Sequence, residues 1–117
     1  MIFNKRIQQV NEVIKQELNQ IILKEMEFDL GTLVTIVRVK TDPDFKIARI
    51  FLRVFPENKE KKCLKNLNKR VPFLQALLNK KMTLRFVPKI IFFIDIKEKE
   101  EEVKWERIEE LFKEIEK

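Results

Sequence analysis

Cations, rather than nucleophiles, are the residues of this chain that are placed to do chemistry. From Lys59 to Lys89, ten Lys and Arg side chains stand against one acid, Glu60. Lys61, Lys62, Lys65, Lys69 and Arg70 crowd a helical stretch and its interruption, and Lys80, Lys81, Arg85 and Lys89 follow. A field of one sign attracts a polyanion, and release of the counterions condensed on that polyanion strengthens the attraction. A solvated Lys-rich surface has a similar composition, and heat-adapted proteins are rich in Lys and Glu. The near absence of acid in the cluster favours a nucleic-acid surface. A second pattern interleaves cations with aromatics at Arg49, Phe51, Arg53 and Phe55. Bases stack on such side chains. Its competing use is to seat the apolar stripe that includes Trp105.

Catalysis has little to work with. The chain has no His, Ser or Tyr, one Cys (Cys63) and one Gly (Gly31). A Ser-His-Asp triad, a Cys-His pair and a zinc site of Cys and His are excluded. So are a Walker loop and a dinucleotide fingerprint. Asp42 and Asp44 flank Pro43 in a turn, and Asp29 and Asp95 end elements. A metal-assisted hydrolase could draw on such carboxylates, but turn and capping duty accounts for each. No enzyme, no metal and no cofactor are expected. Cys63 lies beside Leu64 in an apolar helical pattern and reads as a small core residue. A lone Cys makes no internal disulfide, which suits a reducing compartment. The N-terminus shows no signal-like stretch, and the longest apolar run, Ile90 to Ile94, is too short to span a bilayer. A soluble, cytoplasmic protein with no membrane partner is expected.

Six elements must position the cations within a chain of 117 residues, which suits one domain. Residues 6–25 form an amphipathic helix, with Ile7, Val10, Ile14, Leu18 and Ile21 on one stripe and Asn4 as N-cap. Residues 33–40 are β-branched and read as a strand, and Thr41-Asp42-Pro43-Asp44 as a turn. Residues 46–55 alternate, with Ala48, Ile50, Leu52 and Val54 on one face and the Arg/Phe set on the other. The short connection implies an antiparallel hairpin. A helical region follows Pro56, with Cys63, Leu64 and Leu67 as its apolar edge. It breaks at residues 68–72, because Pro72 disfavours helical dihedrals at Val71. Pro72 then suits the first position of a new helix carrying Phe73, Leu74, Leu77 and Leu78. Residues 82–95 are expected to be a strand with Leu84, Phe86, Ile90, Phe92 and Ile94 on one face. Pro88 places it at an edge or gives it a bulge. The roughly thirty-residue spacing from the second strand suits a helical crossover.

Residues 97–117 form a last amphipathic helix with Trp105, Ile108, Leu111, Phe112 and Ile115 as its stripe. The charge divides there. Residues 1–96 hold 19 basic and 10 acidic side chains, and residues 97–117 hold 6 and 9. The expected organisation is a domain over 1–96 and an acidic C-terminal helix over 97–117, packed on the domain or extending it.

The order of elements and certain residues resemble bacterial ribosome-binding factor A over nearly the whole chain. The first helix matches at Arg6, Ile7, Val10, Ile14, Leu18, Ile21 and Ile22, and the hairpin at Val37, Val39, Asp42 and Ala48. The most specific stretch is LRFVPKIIFFID, where Leu84, Arg85, Pro88, Ile90, Phe92 and Asp95 follow the family's pattern. Arg107, Ile108 and Leu111 are similar to the helix that closes the family's core region. The resemblance implies an α+β, type II KH-like domain, ordered α-β-β-α-kink-α-β, with the helices on one sheet face and an added C-terminal amphipathic helix. It implies a non-enzymatic factor that binds immature small ribosomal subunits and aids late processing of their ribosomal RNA, with a link to growth in the cold. The family usually has a small-residue Ala-x-Gly break between the paired helices, where this chain has Arg70, Val71 and Pro72. An Arg common three residues beyond that Gly is Gln75 here. Close backbone approach at a Gly is lost, and Arg70 supplies charge instead.

The reading is a monomer that docks on ribosomal RNA of the small subunit, with no DNA partner. Lys61, Lys62, Lys65, Lys69, Arg70, Lys80, Lys81, Arg85 and Lys89 are the candidate RNA contacts, forming one continuous surface. Arg85 is expected to contact phosphate or to pair with Asp95. The alternatives are a general KH-like RNA-binding module outside ribosome assembly and a protein-interaction module using the Arg/Phe sheet face.

Overall fold

The computed structural model describes residues 5–96. The expected N-cap Asn4 and the expected helix over 97–117 lie outside the described residues. The elements are α1 (Lys5–Glu25), β1 (Leu33–Thr41), β2 (Ile47–Phe55), α2 (Glu60–Lys69), α3 (Val71–Lys81) and β3 (Lys89–Ile94), with a 3-10 turn at Glu57–Lys59. This is the expected α+β order. The sheet runs β1-β2-β3, with β1 antiparallel to β2 and β3 parallel to it. The parallel pairing is what the long α2–α3 crossover makes possible.

The period-two pattern of β2 places Ala48, Ile50, Leu52 and Val54 on the helix side, where all are buried. They meet Val10, Ile14, Leu18 and Ile21 of α1, Leu67 of α2, Leu74 and Leu78 of α3, and Ile90 and Phe92 of β3 in one core. Cys63 is buried as expected, and burial raises its thiol pKa, so it stays protonated. The turn carboxylates do turn work. Asp44 Oδ1 accepts from the Lys46 amide at 3.0 Å, and Asp42 exchanges backbone bonds with Phe45 and Ile47. Phe45 is held at φ 60°.

The third strand is shorter than its apolar pattern suggests. Residues 82–88 are irregular, and Phe86 is 75% exposed instead of sharing a face with Ile90 and Phe92. Pro88 has no N–H to donate, and pairing starts only at Lys89, whose amide bonds the Lys46 carbonyl at 2.9 Å.

Both outer strands are edges, and helix amides occupy their free backbone groups. Asn19 accepts from Ile36 N at 3.1 Å and donates to Ile36 O at 3.4 Å. Asn11 Oδ1 accepts from Thr41 N at 3.0 Å and from Thr41 Oγ1 at 2.6 Å. On β3, Asn68 brackets Phe92 in the same way, at 3.2 and 3.4 Å. Gln75 accepts from Ile90 N at 2.9 Å and donates to Pro88 O at 3.1 Å. A bare edge would offer these groups to another strand. Four side chains deny them.

Candidate nucleic-acid interface

The α2–α3 break is the centre of the candidate site, and its geometry follows from local chemistry. Lys69 ends α2, and Arg70 leaves helical geometry at φ −99°, ψ 10°. Its amide still bonds the carbonyls of Asn66 and Leu67, and its carbonyl takes the amide of Leu74 to start α3. Pro72 falls in the first turn of α3, where its missing N–H costs no helix bond. The two helices are therefore nearly continuous, with a bend at Arg70. Asn68 and Gln75 lie on either side of the bend and fasten both helices to the edge of β3. Gln75 thus serves as a structural clamp.

The expected RNA contacts fall into several groups. Lys61, Lys65 and Lys69 recur every four residues on α2, so they share one stripe. That stripe is opposite the buried Cys63 and Leu67, and all three cations are exposed. Arg70 stands at the bend beside Asn66 rather than in that row, with its guanidinium 4.8 Å from the centre of the Phe73 ring. Lys62 is exposed but committed. With Lys59 it holds Asp29 of the α1–β1 connection, at 2.8 and 3.1 Å. These two bonds lower the Asp29 pKa, and the same pair raises that of Lys62.

Lys80 and Lys81 lie in the last turn of α3, and Lys81 lines a groove with Glu17, Lys24 and Glu25 of α1. Arg85 is exposed in the irregular segment, 5.5 Å over the Phe86 ring. Asp95 is buried and has Arg38 of β1 beside it at 3.7 Å. Lys89 begins β3 and shares parity with Ile91 and Phe93, so it belongs to the outer sheet face. The single surface expected of these cations is therefore divided between the two sides of the sheet, because strand alternation sends Lys89 away from the helices.

Lys24 was not legible from sequence. It lines a shallow groove with Glu25, Met26, Glu27, Asn66 and Arg70, where the end of α1 meets the bend. Its only local signal is its place in the last turn of α1. The juxtaposition with Arg70 is purely tertiary.

The outer sheet face is the other cationic region. Cross-strand register sets Lys40 beside Arg49 and Ile91, and Arg38 beside Phe51 and Phe93. Arg38 stacks on Phe51 at 4.1 Å, Phe51 stacks on Phe93 at 5.8 Å, and Arg49 is ion-paired with Asp42. Among the described residues no group of three His, Cys, Asp or Glu is arranged to hold a metal ion. No helix among them is long and apolar enough to cross a membrane.

The chain is similar to known proteins over most of this framework. The ribosome-binding factor A of Coxiella burnetii is 33% identical over 92 residues, covering 79% of this chain and 77% of the relative. That of Caldicellulosiruptor bescii is 30% identical over 95 residues, covering 78% and 72%. In three dimensions, the crystal structure of ribosome-binding factor A from Thermus thermophilus shares the fold, with a TM-score of 0.67 at 22% identity. It covers 75% of this chain and 94% of that one. Coordinates of the Thermus thermophilus protein fitted into a map of its complex with the 30S particle give a TM-score of 0.63 at 22% identity, covering 74% and 92%. The sequence profile of the family described as Ribosome-binding factor A matches residues 6–112, and the chain belongs to that family.

Proposed function

We propose that this protein is a non-catalytic assembly factor that binds the immature small ribosomal subunit through its ribosomal RNA and promotes late RNA processing. The observation that carries this reading is the exposed stripe Lys61, Lys65 and Lys69 along α2, with Arg70 exposed at the bend that ends it. Family membership supports it, as does the 30S complex of the Thermus thermophilus relative. Phosphates would meet the Lys ammonium groups and the Arg70 fork, and shape would supply most of the specificity. The factor acts as a monomer in the cytoplasm, with no DNA partner.

About four phosphate contacts would make affinity fall about a hundredfold between low and physiological salt. Co-sedimentation with precursor and mature small subunits tests the reading. Preferential binding to precursors, lost on reversal of the stripe to Glu, is the expected result. Equal binding to any structured RNA would move the protein to a general RNA-binding role.

A further inference from the structure

We infer that the groove between the start of α1 and residues 82–86 seats one unpaired base of a single-stranded RNA segment. The inference rests on the reading of this protein as an RNA binder, but it adds a second contact away from the α2–α3 bend. Arg6 lies near one end of α1. Lys24, which shares a groove with Arg70 at the bend, lies about 27 Å further along the axis.

The groove has a volume of about 220 Å³. Val10 and Val13 line it from α1, and Met82 and Leu84 line it from the segment after α3. Val13 is 41% exposed, so this apolar surface is open to solvent. Gln9 and Thr83 add an amide and a hydroxyl, which can bond the edge of a base. Apolar walls with a few polar groups suit a small flat ligand. A base within a duplex has both faces stacked and one edge paired, so only an unpaired base can enter.

Charge selects the ligand. Arg6 is part of the lining, and no acid is. Three other grooves along α1 contain Glu12, Glu17 or Glu25. Arg6 also lies over the Phe45 ring at 5.7 Å, and Lys46 follows, exposed. Asp44 in the same turn bonds the Lys46 amide at 3.0 Å. Arg85, next to Leu84 in the chain, is exposed as well. Among the described residues, none of Arg6, Lys46 and Arg85 is ion-paired. Phosphates flanking a seated base would meet these cations.

Phe86 gives the stacking surface. It is 75% exposed, with the Arg85 guanidinium 5.5 Å from its centre. A Phe ring left in water forgoes the burial that aromatic side chains ordinarily gain. Beside a cation it is a platform for the next base of the strand. An acidic peptide would use the cations but not the flat faces of Phe86 and Arg85.

Fluorescence anisotropy on the full chain tests the site, with a labelled oligouridine and an RNA duplex of the same length. Val13→Glu places an acid in the groove, and Phe86→Ala removes the platform. Both positions are exposed, and far-UV circular dichroism checks the fold. Each variant should weaken oligouridine binding about tenfold, the worth of one stacked base, and leave duplex binding unchanged. Oligouridine added to the unmodified chain should shift the methyl NMR signals of Val13 and Leu84. Undiminished oligouridine affinity in either variant would overturn the inference, as would an equal loss for the duplex or unshifted methyl signals. Weakened binding to precursor subunits with oligouridine affinity intact would also overturn it, and would give the groove to a protein. The double variant Lys61→Glu, Lys65→Glu should weaken both RNAs. If it weakens neither, the α2 reading fails, while the groove is still decided by its own variants.

Discussion

The two sides of the sheet both carry cations, but in different company. On the helix side, Lys61, Lys65 and Lys69 stand on an exposed helix stripe with no aromatic neighbours in their own row. On the outer face, Arg38 is stacked on Phe51 and beside Asp95, and Arg49 is paired with Asp42. Charge that is already paired with a carboxylate has less to offer a polyanion, because its attraction is partly spent within the fold. The comparison shows that a count of Lys and Arg does not locate a phosphate surface. What matters is which cations the fold leaves uncommitted.

Reversing charges on each side is the most direct way to break this distinction. Changing Lys61, Lys65, Lys69 and Arg70 to Glu should weaken small-subunit binding about a thousandfold in filter-binding assays and flatten the salt response. Reversal of Lys40 and Lys89 on the outer face should cost less than about tenfold, since only two contacts could be lost. Equal losses from both sets would end the distinction. The sheet itself should show a matching asymmetry in stability. Ile50→Ala should cost about 3 kcal/mol in denaturant unfolding, because Ile50 is fully buried. Phe55→Ala on the same strand should cost about 0.5 kcal/mol or less, because its side chain is 66% exposed. A large Phe55 effect would sharpen the comparison by showing that the outer face is a second core.

The edge clamps come next in size. Asn68→Ala leaves the outward N–H and C=O of Phe92 without their side-chain partner, which should cost about 1–2 kcal/mol. Smallest is the Asp29 tie between the α1–β1 connection and α2. Folding lowers the Asp29 pKa, so its contribution is present above the ordinary carboxylate value and fades as pH falls through that range. Asp29→Asn should remove that small pH-dependent component from acid unfolding curves and leave neutral-pH RNA binding nearly unchanged.

Much of the fold was legible because its signals are periodic. The stripe of α1 and the alternation of β2 each specify an element and a buried face, whereas the break expected over residues 68–72 narrows to Arg70 alone, with Asn68 and Lys69 still in α2 and Val71 already in α3 despite the proline that follows it. What escaped is tertiary. The apolar residues Leu84 and Phe86 continue the strand pattern, but Pro88 stops the ladder, and pattern alone does not weigh one against the other. The candidate site was legible as composition along α2, while the parity of Lys89 and the arrival of Lys24 beside Arg70 depend on packing. Gln75 gives no periodic signal in the sequence, and only its bonds to β3 reveal its structural purpose.

The side-chain amides on the sheet edges also set a measure for assembly. Asn11 and Asn19 are eight residues apart on α1, about 12 Å along its axis, and they engage Thr41 and Ile36 on either side of the register shift between Ile36 and Arg38. If β1 slid by one residue, both amides would meet the wrong backbone groups. The first helix is thus a ruler for the strand beside it, admitting one alignment of hairpin and helix and penalising its neighbours at two points simultaneously.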